Sequence, residues 1–304
     1  MTADILTLGE ALIEFMRQPD DGDRVLYEQG FGGDTSNTAI AVARQGASVG
    51  YLSAVGDDLF GQALRDLWRR EGVSDAHVMT RAGDPTGAYF VQPHASGRHF
   101  SYARRGSAAS LYGPDDLPEE AIAQARVLHT SGLSQAISPS MQAAVKRGAE
   151  IARASGTLFS FDTNLRLNLW SLEDARSAAE EILPLADIIF PSDDEAEKLT
   201  GLTDPDAILD HYLCHGARIV ALKRGDKGAM IATPEMRLTI PPAKTTPVDS
   251  TGAGDSYAGA FLAYYLETLD IEASGRLAAK VAAGTVSGFG AITPIPHRDQ
   301  VWPV

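Results

Sequence analysis

Asp249-Ser250-Thr251-Gly252-Ala253-Gly254-Asp255-Ser256 is the stretch from which the rest of the chain is read. A polar run after Pro241-Pro242 leads into it, and an apolar segment, Tyr257 to Leu269, leads out. Gly252 and Gly254 permit a sharp turn. Ala258, Phe261, Leu262 and Tyr265 then recur at helical spacing. The loop therefore feeds a helix N-terminus, where free N–H groups and the positive end of the helix dipole make an anion site. Asp255 falls in the first turn, where a negative charge is favoured. A carboxylate beside an anion site suits removal of a proton from a hydroxyl that attacks a phosphoryl group. Taken alone, the same residues also read as a Gly-containing loop with an Asp near its helix cap.

Working outward, strand and helix patterns alternate between Pro114 and Leu222. Val127–His129, Thr157–Asp162, Ile188–Phe190 and Ile219–Leu222 read as short apolar strands. Between them, Pro139–Ala154, Leu172–Leu183, Asp193–Leu199 and Asp206–His215 read as helices. Such alternation predicts an α/β fold: a parallel sheet with helices on both faces. Ligands in such sheets bind at the carboxyl ends of the strands. That rule selects Gly32-Gly33, Asp162 to Arg166, Ser192 to Glu195 and Lys223 to Gly228.

Nearer the N-terminus, Ile5–Leu8 reads as a buried strand ending at Gly9-Glu10, and Ala11–Met16 and Val25–Phe31 as two more. Asp34-Thr35-Ser36-Asn37 reads as the cap of a helix carrying Ala39, Ile40, Val42 and Ala43. Val49–Val55 is a strand and Phe60–Arg70 an amphipathic helix. Ala88–Val91 and His99–Tyr102 read as two strands around the turn Ala95-Ser96-Gly97. With the N-terminal strands they make a small sheet, read here as a lid.

The 304 residues, 44% of them hydrophobic, suffice for a large core. No apolar run reaches transmembrane length, and the N-terminus lacks the basic region of a signal peptide. A single cysteine, Cys214, allows no intrachain disulfide, so a cytoplasmic protein with Cys214 as a buried packing thiol is expected. The net charge of −14 disfavours nucleic acid and anionic membrane as partners. An anionic substrate would need its own Arg and Lys cluster. The chain has no P-loop, no third glycine at dinucleotide spacing, no Cys/His zinc pattern and no G-x-S-x-G. His129 is expected to be structural.

Gly32-Gly33-Asp34-Thr35-Ser36-Asn37-Thr38-Ala39 resembles the first signature of the ribokinase-like (PfkB) carbohydrate kinases, and Asp249–Asp255 resembles the second. The resemblance covers nearly the whole chain. Within the family the chain is most similar to 2-keto-3-deoxygluconate kinases. The supporting stretches are Tyr102–Ala108, Asp162–Trp170 and Leu222–Gly228. The resemblance implies one ribokinase-like domain over residues 1–304, with a discontinuous lid from about 11–32 and 86–105. It also implies ATP and Mg²⁺ as cofactors, with a monovalent cation as a further candidate.

The roles it implies are specific. Asp255 would be the base, and the amides of Gly252, Ala253 and Gly254 would hold the transferred phosphoryl group. Lys223, Gly225 and Gly228 would belong to the ATP site. Glu195 would meet Mg²⁺ through water. Ser192 stands where the family has an asparagine, and would face the nucleotide. The substrate, a keto-deoxy sugar acid, would be met by Gly33, Tyr89, Tyr102, Arg104, Arg166 and Asp255, with the arginines taking its carboxylate. Ala103, Ala279 and the non-acidic stretch Gly288–Thr293 depart from the family pattern. A fructokinase-like or other sugar kinase is the alternative, and a non-catalytic ligand-binding relative a third reading. Packing of lids between chains would make a homodimer.

Overall fold

The computed structural model describes residues 3–19, 21–94 and 97–303. In chain order its first strands are β1 (Ile5–Leu8), β2 (Leu12–Arg17), β3 (Tyr27–Gly32), β4 (Val49–Gly56), β5 (Val73–Ser74), β6 (Val78–Arg81) and β7 (Ala88–His94). There follow β8 (Gly97–Ala103), β9 (Val127–Ser131), β10 (Leu158–Asp162), β11 (Ile188–Phe190), β12 (Ile219–Lys223), β13 (Ala229–Ala232) and β14 (Arg237–Ile240). The main sheet runs β14-β13-β12-β11-β10-β9-β1-β4-β5, with β6 also on β4. Pairing is parallel from β12 to β5, and antiparallel only at the β12-β13-β14 end. A second sheet, β3-β2-β7-β8, stands apart from it.

The strand sequences are apolar on both faces because helices cover both. Ile5, Tyr51, Phe190 and Ile219 point into one core, against the helices Asp34–Arg44, Leu59–Glu71, Ala253–Thr268 and Ile271–Thr285. Leu6, Leu8, Leu128, Phe159, Phe161 and Ile189 point into the other, against Pro139–Ser155 and Pro205–Cys214. The two-residue period of a strand divides neighbours such as Ile5 and Leu6, or Ile189 and Phe190, between the cores.

Helix Ala253–Thr268 is the central one. Residues 256–263 are all buried, because it lies between Asp34–Arg44 and Ile271–Thr285. Gly259 permits that closeness: a Cβ there would lie 2.6 Å from the Thr38 carbonyl oxygen. The two helices that start at the two glycine-containing signatures are thereby brought side by side.

Two expectations are corrected. Asp34-Thr35-Ser36-Asn37 is the first turn of its helix rather than the cap, which is Gly33 with φ 118°. All four side chains are buried and turned to other elements: Asp34 to Ser131 and Asn164, Thr35 to Tyr51, Ser36 to Trp68 and Asn37 to Asp255. Cys214 is exposed rather than buried, since it ends its helix on the outward side. Helix Ile271–Thr285 and the hairpin β13–β14 are additional elements that the sequence patterns above do not include. In the turn between β7 and β8, Ala95 and Ser96 lie outside the described residues; the strands around them pair antiparallel. No helix among the described residues is long and apolar enough to cross a membrane.

Candidate active site

The carboxyl ends of β10 and β12 carry a buried ion pair. Lys223 Nζ donates to Asp162 Oδ2 at 2.5 Å, with the two side chains 15% and 5% exposed. Burial alone would lower the lysine's pKa; Asp162 and Glu195 outweigh it and hold the ammonium above its ordinary value. The same Nζ lies 3.3 Å from the point a Cβ on Gly254 would occupy. One cation therefore joins the β12 edge to the glycine loop. Ser192 is bridged to Lys223 through the backbone, and its hydroxyl donates to Asp194 at 2.9 Å.

Gly252 caps helix Ala253–Thr268, and the first intrahelical bond runs from Ser256 N–H to Gly252 C=O at 2.8 Å. The amides of Gly254 and Asp255 precede it and retain their donors for an anion. The Ala253 amide instead returns to Ser250 C=O at 3.3 Å. Asp249 braces the loop, accepting from Thr251 N–H (3.1 Å), Thr251 hydroxyl (2.7 Å) and Gly290 N–H (3.0 Å).

Asp255 projects from the first turn. Its Oδ2 accepts from Asn37 Nδ2 at 2.8 Å, and its carbonyl accepts from the Thr38 hydroxyl at 3.2 Å. Burial, reinforced by the charge of Asp34, pushes its carboxyl from the ordinary 3.8 up to about 7, against the opposing hydrogen bond from Asn37. A carboxylate that titrates near neutrality is suited to proton abstraction at neutral pH.

Asp34 lies behind it. Its Oδ2 accepts from Ser131 hydroxyl (2.5 Å) and Asn164 Nδ2 (2.7 Å), while Oδ1 is buried without a partner. Glu195, 12% exposed at its side chain, accepts from Thr163 hydroxyl (2.6 Å) and Leu165 N–H (3.2 Å), and lies 3.6 Å from Arg166 Nη1. Burial raises the Glu195 carboxyl above its ordinary value despite Lys223. Asp162, Glu195 and Asp255 thus all act on one lysine, Lys223.

The residues expected to meet the substrate divide into two groups. Gly33, Tyr89, Tyr102 and Arg104 gather where the small sheet meets β1. The backbone of Gly33 packs on the Glu10 carbonyl, 2.3 Å from where a Cβ would stand. Tyr89 is buried, donates its hydroxyl to Glu14 Oε2 at 2.6 Å, and stacks on Tyr102 with ring centroids 5.8 Å apart. Arg104 lies 5.5 Å above the Tyr102 ring and forms an ion pair with Glu10. Arg166, by contrast, belongs with Glu195, and its side chain is 46% exposed. No contact joins the two arginines.

Gly225 opens a short turn between β12 and β13, with nothing near its absent Cβ. At Gly228 the close neighbour is the chain itself: a Cβ would lie 2.1 Å from the Ile240 carbonyl oxygen. A cleft of about 780 Å³ is lined by Ala243, Lys244, Val248, Lys280, Ala283 and Trp302 among others. Val248 immediately precedes the glycine loop, and the expected nucleotide residues Lys223, Gly225 and Gly228 are not in the lining. Sequence reasoning selected Asp162 at the ligand edge but missed this cleft, as well as Glu10, Asp34 and Asn37 as site groups. Asn37 lies inside the first signature, so its position there was a usable signal. His129 is structural: buried, hydrogen-bonded to Ser160 at 2.9 Å and lowered by burial to about 3.

A pfkB family carbohydrate kinase model matches residues 2–298. The chain is 34% identical to a probable fructokinase-4 of Arabidopsis thaliana, over 98% of this chain and 95% of that protein. It is 33% identical to a 2-dehydro-3-deoxygluconokinase of Thermoproteus tenax, over 97% and 92%. A putative ribokinase II from E. coli, solved with ATP and Mg²⁺, superposes with a TM-score of 0.90 at 26% identity, over 98% and 97%.

Proposed function

The chain belongs to the pfkB family of carbohydrate kinases, and from that premise we propose that it transfers the γ-phosphoryl group of ATP to the terminal hydroxyl of 2-keto-3-deoxygluconate, giving the 6-phosphate. The observation that carries the choice of a sugar acid is Arg104. Its side chain is 10% exposed and Nη2 is paired with Glu10, while Nε is buried without a hydrogen-bond acceptor. Buried N–H groups in a fork call for a planar acceptor, and a carboxylate is the best match. The stacked Tyr89 and Tyr102 add a flat wall for a sugar chain.

In the proposed reaction Asp255 takes the proton of the attacking hydroxyl, oriented by Asn37. The amides of Gly254 and Asp255, with Lys223, take up charge on the moving phosphoryl group. The 780 Å³ cleft accepts the nucleotide. Mg²⁺ would supply charge neutralisation on the phosphates, with Glu195 the residue that would hold it through water. Such an ion needs one or two carboxylates rather than a protein cage. Glu195, both of whose oxygens already accept hydrogen bonds, fits the outer, water-mediated position.

The pairing of Arg104 with Glu10 favours a second reading, a kinase for a neutral ketose, since that pair leaves the subsite nearly neutral. A coupled ADP-release assay over a panel of sugar acids and neutral ketoses decides between them. Higher kcat/KM for 2-keto-3-deoxygluconate than for fructose supports the sugar-acid reading, and the reverse order refutes it.

A further inference from the structure

Glu10 is fully buried at the turn after β1, yet nothing in the proposed reaction uses it. Its Oε1 accepts from Ser107 hydroxyl at 3.0 Å, its Oε2 faces Arg104 Nη2, and its main-chain carbonyl packs on Gly33. Burial raises its carboxyl above the ordinary range, against the pull of Arg104, and Asp34 adds to the rise. A buried acid with this many fixed contacts is costly unless its charge has a use.

We propose that Glu10 is a specificity-determining residue that sets the net charge of the Arg104 subsite, and so how strongly the protein prefers an acidic over a neutral sugar. The claim rests on the reading of Arg104 as a substrate-facing group. With Glu10 ionised, the guanidinium is held over Tyr102 and its charge is largely offset. A substrate carboxylate must then share the guanidinium with a like charge, so its advantage over a neutral sugar is moderated. Removing the charge while keeping the shape releases that restraint. Withdrawing the carboxylate without removing its charge does not.

The measured quantity is the ratio of kcat/KM for 2-keto-3-deoxygluconate to kcat/KM for fructose. Glu10→Gln raises this ratio roughly tenfold or more, the scale of one unit charge removed at a few ångströms in a site of intermediate dielectric. Glu10→Asp, which keeps the charge, changes it less than about threefold on the same scale. Glu10→Gln leaves Arg104 without its counter-charge, so it is also made on an Arg104→Gln background, where no buried cation stands alone. There, too, the ratio rises relative to Arg104→Gln itself. A ratio that is unchanged or lower on both backgrounds overturns the proposal, as does Glu10→Asp matching Glu10→Gln. The wild-type ratio alone tests the sugar-acid reading. A wild type that prefers fructose refutes that reading while the shift produced by Glu10→Gln still decides the proposal.

Discussion

Replacing Asp255 with Asn separates function from stability, because the two should move in opposite directions. The variant keeps the side-chain shape and the bond from Asn37 but cannot take a proton. Loss of a general base costs about 10²–10⁴ in kcat. The carboxyl titrates near 7 in the folded chain against an ordinary 3.8. Between these values the folded protein holds a proton that the unfolded chain has released, so stability falls as pH rises through that window. The full difference corresponds to about 4 kcal/mol; partial solvation of the side chain screens it to about 2 kcal/mol. Asp255→Asn removes this cost. Its thermal midpoint should match the wild type near pH 4 and exceed it by a few degrees at pH 8. Wild-type kcat should itself rise with pH through about 7 as the base ionises. Thermal melts at the two pH values, with single-turnover phosphorylation, make the comparison. Turnover within tenfold of wild type, or a variant less stable than wild type at pH 8, would refute the reasoning.

Four further outcomes are expected. Asn37→Ala removes the donor that favours ionised Asp255, so the midpoint of the kcat–pH profile should move above 7; an unmoved midpoint counts against Asn37 as its orienting partner. Lys223→Gln leaves Asp162 buried without its cation and should cost about 3 kcal/mol in urea unfolding. A loss under about 1 kcal/mol would show that water replaces the ammonium. Arg166→Ala should raise KM for the sugar acid about tenfold while changing KM for fructose little, and equal effects would remove Arg166 from carboxylate recognition. The small sheet exposes Tyr27, Phe90, Phe100 and Tyr102, so light scattering at micromolar concentration should return about twice the 32.3 kDa chain mass; a monomer would refute the homodimer.

The α/β class, the parallel sheet and the helix opening at the glycine loop were legible because each rests on short-range patterns. Apolar strands such as Ile188–Phe190 and the helical recurrence of Ala258, Phe261 and Leu262 follow from local geometry. Lys223 and Glu195 were placed at the ligand edge by the same strand pattern, while the roles of the two signatures came from resemblance alone. What was not legible is who holds whom. Asn37 reaches Asp255 across 218 residues only because Gly259 lets two helices touch. Resemblance assigned Arg104 to the substrate, but no local stretch shows that the fold sets Glu10 against it. The four polar residues from Asp34 to Asn37 resemble a cap until packing turns each toward a different element. Residue type and spacing dictated the elements and the chemical groups at their ends. The pairing of those groups, and with it the protonation of Asp255 and the charge of the Arg104 subsite, was decided by tertiary packing, since burial and through-space fields depend on neighbours that no local stretch contains.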